Sequence, residues 1–114
     1  MKEFLLIFRM QVDANAVPPS PEQMQASMKQ WQDWLGGLAA QNKLSAAGNR
    51  LGMEGSVVKP AGVVTNGPYV EITEVIGGYS IIKADTMEEA AGLAKGCPIL
   101  SVNGNVEVRQ IMTM

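Results

Sequence analysis

Five side chains in this sequence have the types and spacing to hold or process a small molecule: Asn66, Tyr69, Glu71, Tyr79 and Arg109. Glu71 lies between Val70 and Ile72, just after the tight Asn66-Gly67-Pro68 sequence. Burial in an apolar pocket would desolvate its carboxylate, raise its pKa and make it a general base. A salt bridge to Arg109 or Arg9 is the structural alternative and has at least equal weight. Arg109 carries a planar fork of donors that fits a carboxylate, whether on a ligand or elsewhere in the protein. It shares one strand face with Glu107, while Val106 and Val108 take the other. Tyr69 and Tyr79 offer phenolic donors, although buried tyrosines mostly pack and satisfy one hydroxyl. Asn66 is foremost a turn residue, because Asn and Gly accept positive φ and Pro fixes the exit. Its amide can orient a ligand but cannot take up a proton near neutral pH.

Composition removes other chemistries. The 114 residues include no histidine, which excludes His-based general base catalysis, a Ser-His-Asp triad, His-Cys metal sites and histidine-ligated haem. The one cysteine, Cys97, precludes an intrachain disulfide. It follows a helix end, where the dipole has the wrong sign for a thiolate, and reads as packed and inert. Ser56 and Lys59 match a Ser-x-x-Lys string, but its companion motifs are missing and a hairpin is the wrong setting. The pairs Glu71/Glu74 and Glu88/Glu89 lack the further ligands a metal would need. There is no P-loop and no dinucleotide fingerprint, so neither cofactor nor metal is expected. Nine basic residues against eleven acidic ones, a net charge of −2, give no electrostatic case for a nucleic-acid partner. The apolar run from Phe4 to Phe8 is shorter than the roughly 7–15 residues of a signal-peptide core. No stretch approaches the ~20 apolar residues of a membrane span, so the expected location is the cytoplasm, with no membrane partner.

These side chains must be positioned by a small scaffold. Hydrophobic residues make up 46% of the chain, enough for one core, and the length suits a single domain over residues 1–114. Residues 2–12 alternate as a strand, with Phe4, Leu6, Phe8, Met10 and Val12 on one face and Leu5, Ile7, Arg9 and Gln11 on the other. Ser20, Pro21 and Gln23 supply an N-cap, a first-turn proline and a capping box. The helix they open carries a stripe of Met24, Met28, Trp31, Leu35 and Leu38 and ends between residues 35 and 41, with Gly36 and Gly37 ending or kinking it. Trp34 falls off the stripe and is expected half exposed, while most of the eight methionines, Met24 and Met28 among them, are expected to fill core gaps. Two short strands, 55–59 and 62–65, flank a Lys59-Pro60-Ala61-Gly62 turn. Residues 69–75 fit either a strand or a helical turn. A strand at 78–84, a helix capped at Asp85 and stopping at Gly96, and a strand at 105–112 complete the chain.

The order β-α-β(β)-β-α-β gives a ferredoxin-like α+β sandwich with an extra hairpin. Such a sheet has helices on one face only. Leu5, Ile7, Tyr79 or Ile82, and Ile111 are too apolar to leave the other face in water, so the chain is expected to form a homodimer through it.

The run Asn66-Gly67-Pro68-Tyr69-Val70-Glu71, with Ile76-Gly77-Gly78-Tyr79, Glu88–Ala91, Cys97-Pro98 and Glu107-Val108-Arg109, resembles the YCII-related family, and most closely its DGPF-motif branch. The resemblance covers nearly the whole chain and implies a ferredoxin-like fold that pairs into a dimeric α+β barrel. Most members have no assigned function, some relatives act on small ring-derived acids or lactones, and some are fused to or found beside transcription factors. A His-Asp pair suggested for related proteins has no counterpart here, because Asn66 stands where the motif carries Asp and no histidine exists. Tyr69 stands in place of the motif Phe, whereas Glu71, Arg109 and the glycines match. The expectation is a dimeric module binding a small acidic or aromatic metabolite between paired sheets. The alternatives are an acid/base enzyme acting on a small organic acid or lactone, with Glu71 as base and Arg109 holding the carboxylate, and an interaction module for a transcriptional regulator with Trp34 on its surface.

Overall fold

A computed structural model of the protein describes residues 1–11, 17–67 and 74–113. Strand β1 (Lys2–Gln11) is the inner strand expected from its alternation and lies between β5 (Glu74–Ala84) and β6 (Asn105–Gln110). Strand β2 (Leu44–Arg50) closes the far edge of the four-stranded antiparallel sheet, in the order β2-β5-β1-β6. Helix α1 (Pro21–Ala40) connects β1 to β2, and α2 (Met87–Ala94) connects β5 to β6. The helix–sheet order and the strand order are those of a ferredoxin-like α+β fold.

The hairpin is separate from that sheet. Among the described residues, strands β3 (Ser56–Lys59) and β4 (Val63–Asn66) pair only with each other, through Val57↔Thr65 and Val58↔Val64. The turn between them holds Ala61 at φ 68° and Gly62 at φ +78°. The radius of gyration is 15.6 Å, above the about 13 Å of a compact chain this long.

The second strand of the main sheet had no visible period in the sequence. Its register against β5 shifts between Leu44 and Ala46 and again between Ala46 and Asn49, so alternate residues do not keep to one face. Gly48, at φ +74°, lets the two backbones approach: a Cβ there would lie 1.7 Å from the Tyr79 carbonyl oxygen. The strand expected at 78–84 begins at Glu74, because a shift between Phe8 and Arg9 passes over Gly77 and lets pairing continue to Gln11↔Glu74. Whether the stretch before Glu74 is strand or helix falls outside the described residues, as does Val12.

Helix α1 ends at Ala40, within the expected range, and runs through Gly36 and Gly37, since glycine costs a helix only about 1 kcal/mol relative to alanine. Its capping box is formed as expected: Gln23 N donates to Ser20 Oγ (3.1 Å), and Ser20 N donates to Gln23 Oε1 (2.9 Å). The cap of α2 is Thr86 rather than Asp85, its hydroxyl accepting from Glu89 N at 3.1 Å. Met24 and Met28 are 52% and 59% exposed, not core. Only the C-terminal half of α1 joins the core, through Trp31, Trp34 and Leu38, so the stripe residues before Trp31 stay in solvent.

The core lies between the sheet and the helices. Phe4, Leu6 and Phe8 of β1 meet Ile82 and Ala84 of β5, Leu38 of α1, Ala90 and Ala94 of α2, and Ile99. Trp34 is half buried, as expected, and packs edge-on against Phe8 and Trp31, with ring centroids 6.1 and 5.8 Å away. Its indole nitrogen donates to the Leu93 carbonyl at 3.2 Å, joining α1 to α2.

Candidate functional site

Alternation along β1 and register across the sheet assemble one group of side chains on the face that, among the described residues, no helix covers. Leu5 pairs with Ile81 and Arg109, Ile7 with Tyr79 and Glu107, and Arg9 with Ile76 and Asn105. Because residues paired across strands share a face, the open face has Leu5, Ile7, Tyr79 and Ile81 at its centre and Arg9, Glu107 and Arg109 along β1 and β6. Ile82, an alternative for this face in the sequence, is on the opposite side and fully buried.

The charged group is tightly bonded. Arg9 donates to Glu107 Oε1 from Nε at 3.2 Å and from Nη2 at 2.9 Å. Arg109 Nη1 donates to Glu107 Oε2 at 3.2 Å. One carboxylate therefore bridges two guanidinium groups. The hydrogen bonds from Arg9, then from Arg109, hold the Glu107 carboxyl below the ordinary glutamate range. The Arg109 side chain remains 70% exposed, so most of its donor fork faces outward. On the β2 side of the same face, Asn49 Nδ2 donates to the Tyr79 hydroxyl at 3.4 Å.

Of the five residues singled out in the sequence, Tyr79 and Arg109 share this face. Asn66 does not: it ends β4 in the separate hairpin and lines a shallow cleft with Glu54, Ser56 and Gly67. Gly67 beside it takes φ +83°, as the turn reading required. Tyr69 and Glu71 lie outside the described residues, and so does the proposed role of Glu71 as a base. Arg109 has the intramolecular partner that the structural reading allowed, but that partner is Glu107. Sequence alternation placed Glu107 and Arg109 on one face. Bringing Arg9 to Glu107 needed the β1–β6 register, which local spacing does not encode.

Other candidates carry no site. Cys97 is buried, and burial pushes its thiol up to about 11, which fits a packed, unreactive cysteine. A shallow, open cleft beside it, bordered by Gln30, Trp34, Lys95 and Leu100, is on the helix side of the molecule. Lys43, just before β2, and Glu89, in the first turn of α2, form a 2.6 Å ion pair. Its hydrogen bond raises the lysine pKa and lowers the glutamate pKa. Among the described residues, no group of three or more carboxylates or thiols could hold a metal ion, and no helix is long and apolar enough to cross a membrane.

The profile of the YCII-related domain matches residues 4–114. The chain belongs to the YCII-related family. No curated protein was found to match it. The matched span runs from β1 through β6, so both strands that carry the Arg9–Glu107–Arg109 group lie within the family domain.

Proposed function

We propose that this YCII-related domain, of the DGPF-motif branch, is a cytoplasmic homodimeric module that binds a small acidic or aromatic metabolite. Two open sheet faces stack into a dimeric α+β barrel, and the ligand occupies the pocket between them. The supporting observation is the Arg9–Glu107–Arg109 group standing beside Leu5, Ile7, Tyr79 and Ile81 on a face that no helix covers. Apolar side chains at the centre favour a hydrocarbon or ring, and the outward guanidinium fork of Arg109 favours a carboxylate. Tyr79 supplies a hydroxyl donor within the same face. Tyr69 is assigned to the pocket wall from its sequence position, whereas Asn66 stands in the separate hairpin.

Benzoate combines the ring and the carboxylate, which makes it a suitable first probe. Titration followed by amide chemical shifts should perturb β1, β5 and β6, and Arg109→Ala should abolish the response. Sedimentation equilibrium should return twice the 12.2 kDa chain mass. A monomer whose spectrum ignores benzoate, with or without Arg109, overturns the reading.

A further inference from the structure

We infer that Glu107 sets the charge of the ligand and restricts the site to monocarboxylates over dianions. The inference rests on the ligand-binding reading above and deepens it. Glu107 stands opposite Ile7, between the positions of Arg9 and Arg109 on the same sheet face. One of its oxygens takes both Nε and Nη2 of Arg9, so that arginine is oriented toward the protein's own carboxylate. The other oxygen takes a single donor from Arg109. An arginine has five donors, and the remaining ones of Arg109 meet no acceptor among the described residues.

Two guanidinium groups and one carboxylate leave a single positive charge for a ligand to neutralise. A monocarboxylate on the free edge of Arg109 completes the balance. A second negative charge on the same small molecule would come to rest near the Glu107 carboxylate and be repelled. On the same face Glu3 stands opposite Lys83 at one end of β1 and Glu74 faces Gln11 at the other, accepting from Asn105 Nδ2 at 3.1 Å, so each end of the strand also carries a carboxylate. Enclosure of the face would strengthen the discrimination, since buried charges are screened little by salt.

The test compares benzoate with phthalate by calorimetric titration at about pH 7.5, where phthalate carries two charges, on the wild-type protein, Glu107→Gln and Glu107→Asp. The wild type should prefer benzoate by about tenfold or more, a modest expression of like-charge repulsion. Glu107→Gln removes the charge with little change of shape and should move the ratio toward phthalate by a similar factor. Glu107→Asp keeps the charge and should keep the preference for benzoate. Three results overturn the inference while leaving the binding site in place: a wild type that binds both acids equally, a Gln variant with an unchanged ratio, or an Asp variant that shifts as far as Gln. If neither acid binds the wild type, the site reading itself falls and the inference falls with it.

Discussion

The two faces of β1 teach how one strand can serve both stability and recognition. Phe4, Leu6 and Phe8 are 0%, 0% and 5% exposed beneath the helices. Leu5, Ile7 and Arg9, one step out of phase, are only half buried on the side that no helix covers. Among the described residues the core on the helix side holds no charged side chain, and shape complementarity does the stabilising. On the open side apolar residues sit beside an ion-pair group, so the same strand presents a surface that is neither a core nor an ordinary solvated face. Antiparallel sheets with one free face normally alternate apolar with polar. This one does so only toward the two ends of β1, at Glu3 and at Arg9.

The largest effect should separate the faces directly. Phe4→Ala should cost about 3–5 kcal/mol, the usual range for a buried phenylalanine. Ile7→Ala should cost about 1 kcal/mol if the open face meets only water, because little apolar area is then lost. Urea unfolding at two protein concentrations reads both. An Ile7→Ala cost that approaches the Phe4→Ala cost, and grows with protein concentration, would mean that a second chain covers the open face.

Next in size is the edge of the sheet. Gly48→Ala must place a Cβ against the β5 backbone at a positive φ, and should destabilise by at least ~2 kcal/mol. Gly36→Ala meets nothing within 4 Å and should stabilise the helix by up to about 1 kcal/mol. Thermal melts of the two variants should therefore move in opposite directions.

These two glycines also show where the sequence was readable. The strong periodicity of β1, the Ser20–Gln23 cap and the hairpin turn at Pro60 could be assigned locally, because each depends on neighbours within a few residues. Strand β2 could not: its bulges erase the two-residue period, and Gly48 has meaning only against Tyr79, thirty-one residues away. The site divides in the same way. Alternation put Glu107 beside Arg109, whereas the Arg9–Glu107 bond spans 98 residues and depends on register. Trp34 is half buried, as its place off the stripe implied, but its partners Phe8 and the Leu93 carbonyl lie on other elements and could not be read from its own helix.

A smaller effect tests Ser80, the one buried polar side chain among the described residues. Ser80 is 1% exposed on the helix side and donates to the Ala47 carbonyl at 2.6 Å, tying β5 to the bulged part of β2. Ser80→Ala should cost about 1 kcal/mol, the net value of such a bond, and hydrogen exchange should rise in β2 before it rises in β1. Equal exchange in both strands would show that the bulged edge opens only with the whole sheet.

The smallest effect compares one carboxylate from each side of the molecule. Glu107 on the open face and Glu89 on α2 both have lowered pKa values, through hydrogen bonds from arginines and from Lys43 respectively. A carboxylate whose folded pKa lies below its unfolded value stabilises the fold at neutral pH. That contribution is lost as the pH falls from about 4.3 through the folded value. Glu107→Gln and Glu89→Gln should each flatten the acid limb of stability measured from pH about 7 to about 3. With the open face in water the two variants should flatten it similarly, since both ion pairs are partly solvated. Stacking of two open faces would desolvate Glu107 but not Glu89. The Glu107→Gln effect would then exceed the other and depend on protein concentration, because the ion pair would titrate inside an interface rather than on a surface.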